Sequence, residues 1–294
     1  MKKRAVSVML TAAMVSAMLA GCGSKNAETQ SAADTTAESA VSGDETSADT
    51  QAADAETTDA SKTDGTFTVG FDQDFPPMGF VGDDGEFTGF DLEMAAEVAK
   101  RLNLMIAYQP IAWDAKDMEL DAGTIDCIWN GFTMTGREDG YTWSEPYMEN
   151  SQVFVVAGDS GIKSQADLAG KVVECQVDSS AEAALKEVPD LTATFAQLLT
   201  TADYNTAFMD LEQGAVDAIA MDVVVAGYQI SQRNADFVIL EDSLAAEEYA
   251  IGFKKGNTEL KDKVQGALEE MAADGTLKTI SEKWFGKDIT TIGK

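Results

Sequence analysis

The stretch Asp126-Cys127-Ile128-Trp129-Asn130-Gly131-Phe132-Thr133-Met134-Thr135-Gly136-Arg137-Glu138 reads as a buried strand that runs out into polar, chemically capable residues. Cys127, Ile128 and Trp129 are apolar and suit a core strand, and Gly131 lets the backbone approach a ligand closely. Thr133 and Thr135 offer hydroxyls, and Arg137 offers a planar cation whose fork matches a carboxylate. Together they form a binding edge for a small anion. A plainer role competes with this one: threonines alternating along an edge strand and an arginine solvated at the surface.

Part of this stretch occurs twice. Leu120-x-x-Gly123-x-Ile125-Asp126-x-Ile128 returns as Leu211-x-x-Gly214-x-Val216-Asp217-x-Ile219. In each copy a helix ends at a glycine suited to a left-handed cap, and a short buried strand comes after a polar residue. Strand-like runs at 104–108 and 191–195 precede the two copies. Two α/β lobes of related plan are the economical explanation.

The first lobe opens with a strand over 67–71, the turn Asp74-Phe75-Pro76-Pro77 and a hairpin around Gly82-Asp83-Asp84-Gly85. A helix over 91–102 places Leu92, Ala95, Ala96, Ala99 and Leu102 on one face, and another covers 113–122. Such alternation predicts mainly parallel sheets flanked by helices. A Val and Phe run at 151–157 leads into the second lobe, where Ser164 caps a short helix and a strand covers 172–175. Ser179 then heads a helix, with Glu182 completing a capping box. After the second repeat, which ends at Met221-Asp222, come a strand over 237–240 and a return to the first lobe over 249–253. In the next helix Leu260, Val264, Ala267, Leu268 and Met271 share a face, and Gly275 separates it from a last helix. Lobe 1 is thus expected over 65–152 and 249–294, and lobe 2 over 153–248, with two crossings that imply a hinge. Cys127 and Cys175 fall in apolar strand patterns in different lobes and read as buried free thiols.

Charge and composition narrow the function. Across 294 residues, 21 Lys and Arg face 51 Asp and Glu, a formal charge of -30 that repels nucleic acid. The chain has no histidine, which excludes Ser-His and Cys-His catalysis and removes the commonest metal ligand. At the N-terminus, Lys2, Lys3 and Arg4 precede an apolar run over 5–20, shaped like a secretory signal peptide. Residues 23–64 contain Ala, Thr, Ser, Asp and Glu with no aromatic, and such a segment is expected to be a disordered acidic tether.

Gly131-Phe132-Thr133-Met134-Thr135 with Arg137 close behind resembles the G-x-T-x-T-x-x-R signature of the amino-acid-binding proteins of ABC importers, the periplasmic-binding-protein-like family 3. The resemblance covers 65–287 and implies a two-lobed type II fold joined by a two-segment hinge. Leu19-Ala20-Gly21-Cys22 likewise resembles a lipobox, implying that residues 1–21 are removed, that Cys22 is lipidated, and that 22–64 tether the protein to the outer face of a bacterial cytoplasmic membrane of Gram-positive type.

Open α/β sheets bind ligands beyond the carboxyl ends of their strands, so the residues after Trp129, Cys175 and Ile219 should line one cleft. There Arg137 can hold an α-carboxylate, helped by Ser179 and Ser180 at a helix N-terminus, and Asp222 can meet an α-ammonium. The resemblance gives these positions the same roles and adds Gly131 and Thr133 as backbone or hydroxyl contacts. It also matches Asp72, Phe75 and Trp113 to positions that touch the ligand side chain; Asp72 beside Asp74 fits arginine, lysine or glutamine. Plainer roles are a helix cap for Ser179 and Asp222, and core or turn positions for Asp72, Phe75 and Trp113.

Two departures from the family pattern stand out: Arg137 arrives one residue early, and Asp178 occupies a place usually held by glycine. The resemblance implies capture of a polar or basic amino acid for ABC permease subunits, with no enzymatic activity, cofactor or metal. The rival functions are an extracellular amino-acid sensor and a dehydratase-like enzyme on the same fold, for which Asp72 or Glu174 would supply the acid.

Overall fold

The computed structural model describes residues 65–233 and 235–294, so the signal segment, Cys22 and the tether lie outside the described residues. The repeated Asp at positions 126 and 217 turns out to be a register device used twice. Asp126 donates its N–H to Thr68 O at 2.8 Å, and its carboxylate accepts from Thr68 N–H at 2.7 Å. Asp217 repeats this against Val172, at 2.8 Å for both bonds. In each lobe an aspartate thus closes a ring with the neighbouring parallel strand and sets which residues emerge at the strand's far end.

In the first sheet, Thr66–Phe71 lies between Met105–Pro110 and Cys127–Ile128, parallel to both, and Gly252–Phe253 and Thr142–Trp143 extend it antiparallel. In the second, Val172–Gln176 lies between Gln197–Thr201 and Ala218–Asp222, again parallel to both. The long strand Met148–Ala157 pairs antiparallel with Ala218–Asp222, Phe237–Ile239 and Ala245–Tyr249. Each sheet is mainly parallel but mixed, with one strand running against the rest: Gly252–Phe253 in the first and Met148–Ala157 in the second. The cause is the connection between lobes: Met148–Ala157 leaves the first lobe and Ala245–Tyr249 leads back to it, and two crossing segments side by side must run in opposite directions.

Helices cover the sheets through the faces expected. Leu92, Ala95 and Ala99 of Phe90–Arg101 are buried, and so are Val264, Ala267, Leu268 and Met271 of Thr258–Ala273. Cys127 and Cys175 are buried free thiols in separate sheets.

Three local expectations shift. Residues 191–195 are not a strand: Pro189 opens a helical turn, Pro189–Thr192, and the strand begins at Gln197. Pro fixes a helical φ at that first position, and Leu191 and Phe195 still pack against the second-lobe core, which explains their apolar pattern. The helix over 113–122 begins as a 3₁₀ turn, Trp113–Ala115, before Lys116–Ala122 continues as α-helix. The box at Ser179 is displaced by one residue: Ser179 Oγ accepts from Glu182 N–H at 3.2 Å, but the Glu182 carboxylate accepts from Asp178 N–H at 2.7 Å.

Candidate ligand-binding site

Beyond the strand ends lies a small, nearly closed cavity, lined by all nine positions singled out from sequence: Asp72, Phe75, Trp113, Gly131, Thr133, Arg137, Ser179, Ser180 and Asp222. Asn130 and Gln176 complete it. They come directly after Trp129 and Cys175, so the strand-end rule that pointed to this cleft already contained them. A wider surface groove, walled by Val224, Tyr228, Trp284 and Phe285, gathers none of the nine.

The first lobe brings the cation. Between Thr133 and Arg137 the chain turns on Gly136, at φ 80°, and Arg137 N–H closes the turn on Met134 O at 2.8 Å. After that glycine turn Arg137 stands on the cavity wall. Arg137 Nη1 donates to Thr133 O at 3.2 Å, and its guanidinium carbon sits 5.4 Å from the Phe132 ring centroid. Arg101 and Arg233 are each paired with carboxylates. Among the described residues no carboxylate lies within ion-pair distance of Arg137, so its charge is available to a ligand.

The backbone before it is pinned from behind. Gly131, at φ 57°, donates its N–H to Asp91 at 2.6 Å, and Asp91 also accepts from Tyr147 OH at 2.8 Å. Full burial pushes Asp91 up to about 7. With its N–H taken, Gly131 has its carbonyl left to offer. The returning segment holds the other edge, where Ala250 N–H donates to Phe132 O at 3.0 Å and Met134 N–H to Glu248 O at 2.9 Å. Thr133 is buried, and its Oγ1 has no protein partner. A buried hydroxyl without a partner is costly, which favours a ligand group there.

The second lobe brings the anion and a helix end. Asp222 is buried, and its carboxylate accepts from Asn150 at 2.9 Å, Gln152 at 2.8 Å and Tyr249 OH at 2.6 Å. Burial first, and neighbouring Glu247 second, hold its pKa well above the usual carboxylate range. It precedes the helix Val223–Gln232 but makes no side-chain cap bond to it, so capping does not account for the residue. Ser179, by contrast, does cap: besides its bond from Glu182 N–H, its Oγ donates to Gln176 O at 2.7 Å. The Ser180 hydroxyl accepts from Gln152 at 2.9 Å and keeps its own proton to donate.

At the side-chain end, Asp72 accepts from Gln176 at 2.7 Å and from Asp74 N–H at 2.9 Å, while its own N–H donates to Asn130 at 3.0 Å. Burial, outweighing these bonds, pushes Asp72 up to about 6. Phe75 and Trp113 are apolar wall, packed against Tyr204 at 5.9 Å and edge-on to Phe132 at 5.5 Å. Asn130 Nδ2 is a second buried polar atom without a protein partner.

Several of these contacts join the lobes. Gln176 reaches Asp72, Asn205 reaches Asp74 at 2.9 Å, and buried Lys116 pairs with Asp178. Asp178 has φ 55°, the left-handed conformation that explains glycine at this place in the family pattern. The acid that replaces glycine is matched by Lys116 of the opposite lobe and so is not left facing a ligand carboxylate. Nothing in the local pattern around Lys116 marked it beforehand. Among the described residues, no group of three or more Cys, Asp and Glu is placed to hold a metal ion.

The family model for bacterial extracellular solute-binding proteins, family 3, matches residues 67–287. The L-cystine-binding protein of Escherichia coli strain K12 is 34% identical over 228 residues, covering 76% of this chain and 84% of that protein. An L-cystine-binding protein of Bacillus subtilis strain 168 is 32% identical over 234 residues, covering 76% and 82%. A crystal structure of an ABC uptake transporter substrate-binding protein from Streptococcus pneumoniae with bound histidine superposes with a TM-score of 0.75 at 36% identity, covering 77% of this chain and 95% of that one. With its two-lobed type II fold, the chain belongs to family 3 of the bacterial extracellular solute-binding proteins.

Proposed function

We propose that this protein captures a free amino acid outside the cytoplasm and delivers it to the membrane subunits of an ABC importer, without chemical turnover. The observation that carries this reading is the placement of unpaired Arg137 and buried Asp222, from opposite lobes, on the wall of one small cavity. A zwitterion matches that pair: Arg137 and the donors of Ser179 and Ser180 take the carboxylate, and Asp222 takes the ammonium. Asp72 then faces the side chain and selects one that ends in a nitrogen donor. Histidine and cystine, named for the relatives, both carry one beyond the α-carbon.

A ligand held from both sides stabilises the closed arrangement, and the permease recognises that form. Cys22 and the 22–64 tether would hold the binding domain at the outer membrane face; radiolabelled lipid incorporated equally by Cys22→Ala would remove that anchor. The whole reading is tested by a thermal-shift screen of the twenty amino acids plus ornithine, citrulline and cystine. A ligand at a hundred times its Kd stabilises by about 2.7 kcal/mol. A clear upward shift with one or a few polar or basic members is expected, and no shift with any of them overturns the proposal.

A further inference from the structure

Behind Asp222, outside the cavity wall, stands a second buried acid, Glu247 on the return strand Ala245–Tyr249. The two carboxylates share their donors. Asn150 Nδ2 lies 2.9 Å from Asp222 Oδ1 and 2.5 Å from Glu247 Oε1, and Gln152 Nε2 lies 2.8 Å from each. Oxygens that accept from the same two amides are close neighbours, and two such carboxylates in a dry site cannot both stay ionised without compensation.

The other groups around them supply no positive charge. Tyr249 OH donates to Asp222, and Tyr204, from the helix Tyr204–Glu212, also senses it. Both phenols are held well above their ordinary pKa, by burial and then by Asp222, and stay neutral. Ser180 and the amides of Met148–Ala157 are uncharged. Among the described residues no lysine or arginine lies within ion-pair distance of Asp222 or Glu247. The compensation must come from a proton or from a ligand.

We infer that Glu247 is a positioning residue for the ligand's ammonium: with Asp222 it shares one proton in the ligand-free protein, and the ammonium displaces that proton to solvent. The subsite then carries the same net charge before and after binding, which favours an ammonium over a neutral group. This rests on the amino-acid reading and adds to it a linkage between binding and pH. Affinity rises with pH through the range where the shared proton is lost, by up to about tenfold per pH unit.

The test is calorimetry near pH 7 with L-histidine, L-arginine and L-cystine as probes, in buffers of different ionisation enthalpy. Wild type should release up to about one proton per ligand, and Glu247→Gln distinctly fewer, with its affinity profile moved to lower pH. Equal proton release by both proteins overturns the inference while leaving amino-acid capture intact. If none of these three binds, capture is left to the full amino-acid screen, and infrared spectra of the ligand-free proteins decide about the pair. A protonated-carboxyl stretch present in wild type and lost in both Glu247→Gln and Asp222→Asn supports it; unchanged spectra overturn it.

Discussion

In the first lobe Asp126 ties the Cys127–Ile128 strand to Thr68, and in the second Asp217 ties Ala218–Asp222 to Val172 with the same pair of bonds. The chain leaves the two strands differently. The first runs into an irregular segment, Asn130 to Arg137, that turns twice on glycines with positive φ before delivering a guanidinium. The second ends at once in Asp222 and a helix. One scaffold element used twice therefore presents opposite charges to one crevice. The scaffold explains where the groups stand, and the exits explain what they bind.

That contrast can be broken at the exits or at the scaffold. The largest effect is expected at an exit: Arg137→Ala removes a charge-assisted contact and should weaken amino-acid binding by about 1.5–3 kcal/mol or more, roughly ten- to hundredfold in Kd. Calorimetry checks it, and undiminished affinity removes Arg137 from the site. At the scaffold, Asp126→Ala and Asp217→Ala should each lower unfolding free energy by about 1–3 kcal/mol in urea titrations, by similar amounts. A large loss from one and none from the other would show that the two copies are not equivalent.

A third effect separates the exits by pH. Asp91, which pins Gly131, is held at about 7 when folded, whereas an unfolded aspartate titrates near about 3.9. Between those values the folded protein keeps the proton longer, so this group's contribution to stability falls as pH rises through that window and is level above it. Asp91→Asn should remove that part of the slope in thermal unfolding measured from pH 4 to 8. An unchanged slope would mean that Asp91 is ionised throughout.

How far such features could be foreseen depends on whether they are local. The repeat, the helix faces and cavity positions such as Arg137, Ser179 and Asp222 were readable because strand-end chemistry and helical periodicity are written in neighbouring residues, whereas Asp72, Phe75 and Trp113 came only from the family resemblance. Gly136 before Arg137 reads as a shortened spacing, and the turn at its positive φ belongs to the geometry and not to the pattern of residue types. The run 191–195 misled because Leu191 and Phe195 are buried for packing, and apolar spacing alone does not separate a short helical turn from a strand. Lys116 opposite Asp178, Gln176 on Asp72 and Glu247 behind Asp222 join segments far apart in the chain. Such pairs leave no mark on local sequence, and they are the contacts that close the cavity and set its charge.

The most direct test of a ligand held between the lobes is small-angle X-ray scattering of wild type with and without the amino acid that gives the largest thermal shift. If Arg137 and Asp222 grip one molecule from opposite sides, saturating ligand lowers the radius of gyration, and Arg137→Ala does not respond at the same concentration. Scattering that is identical with and without a ligand shown by calorimetry to be bound would contradict it.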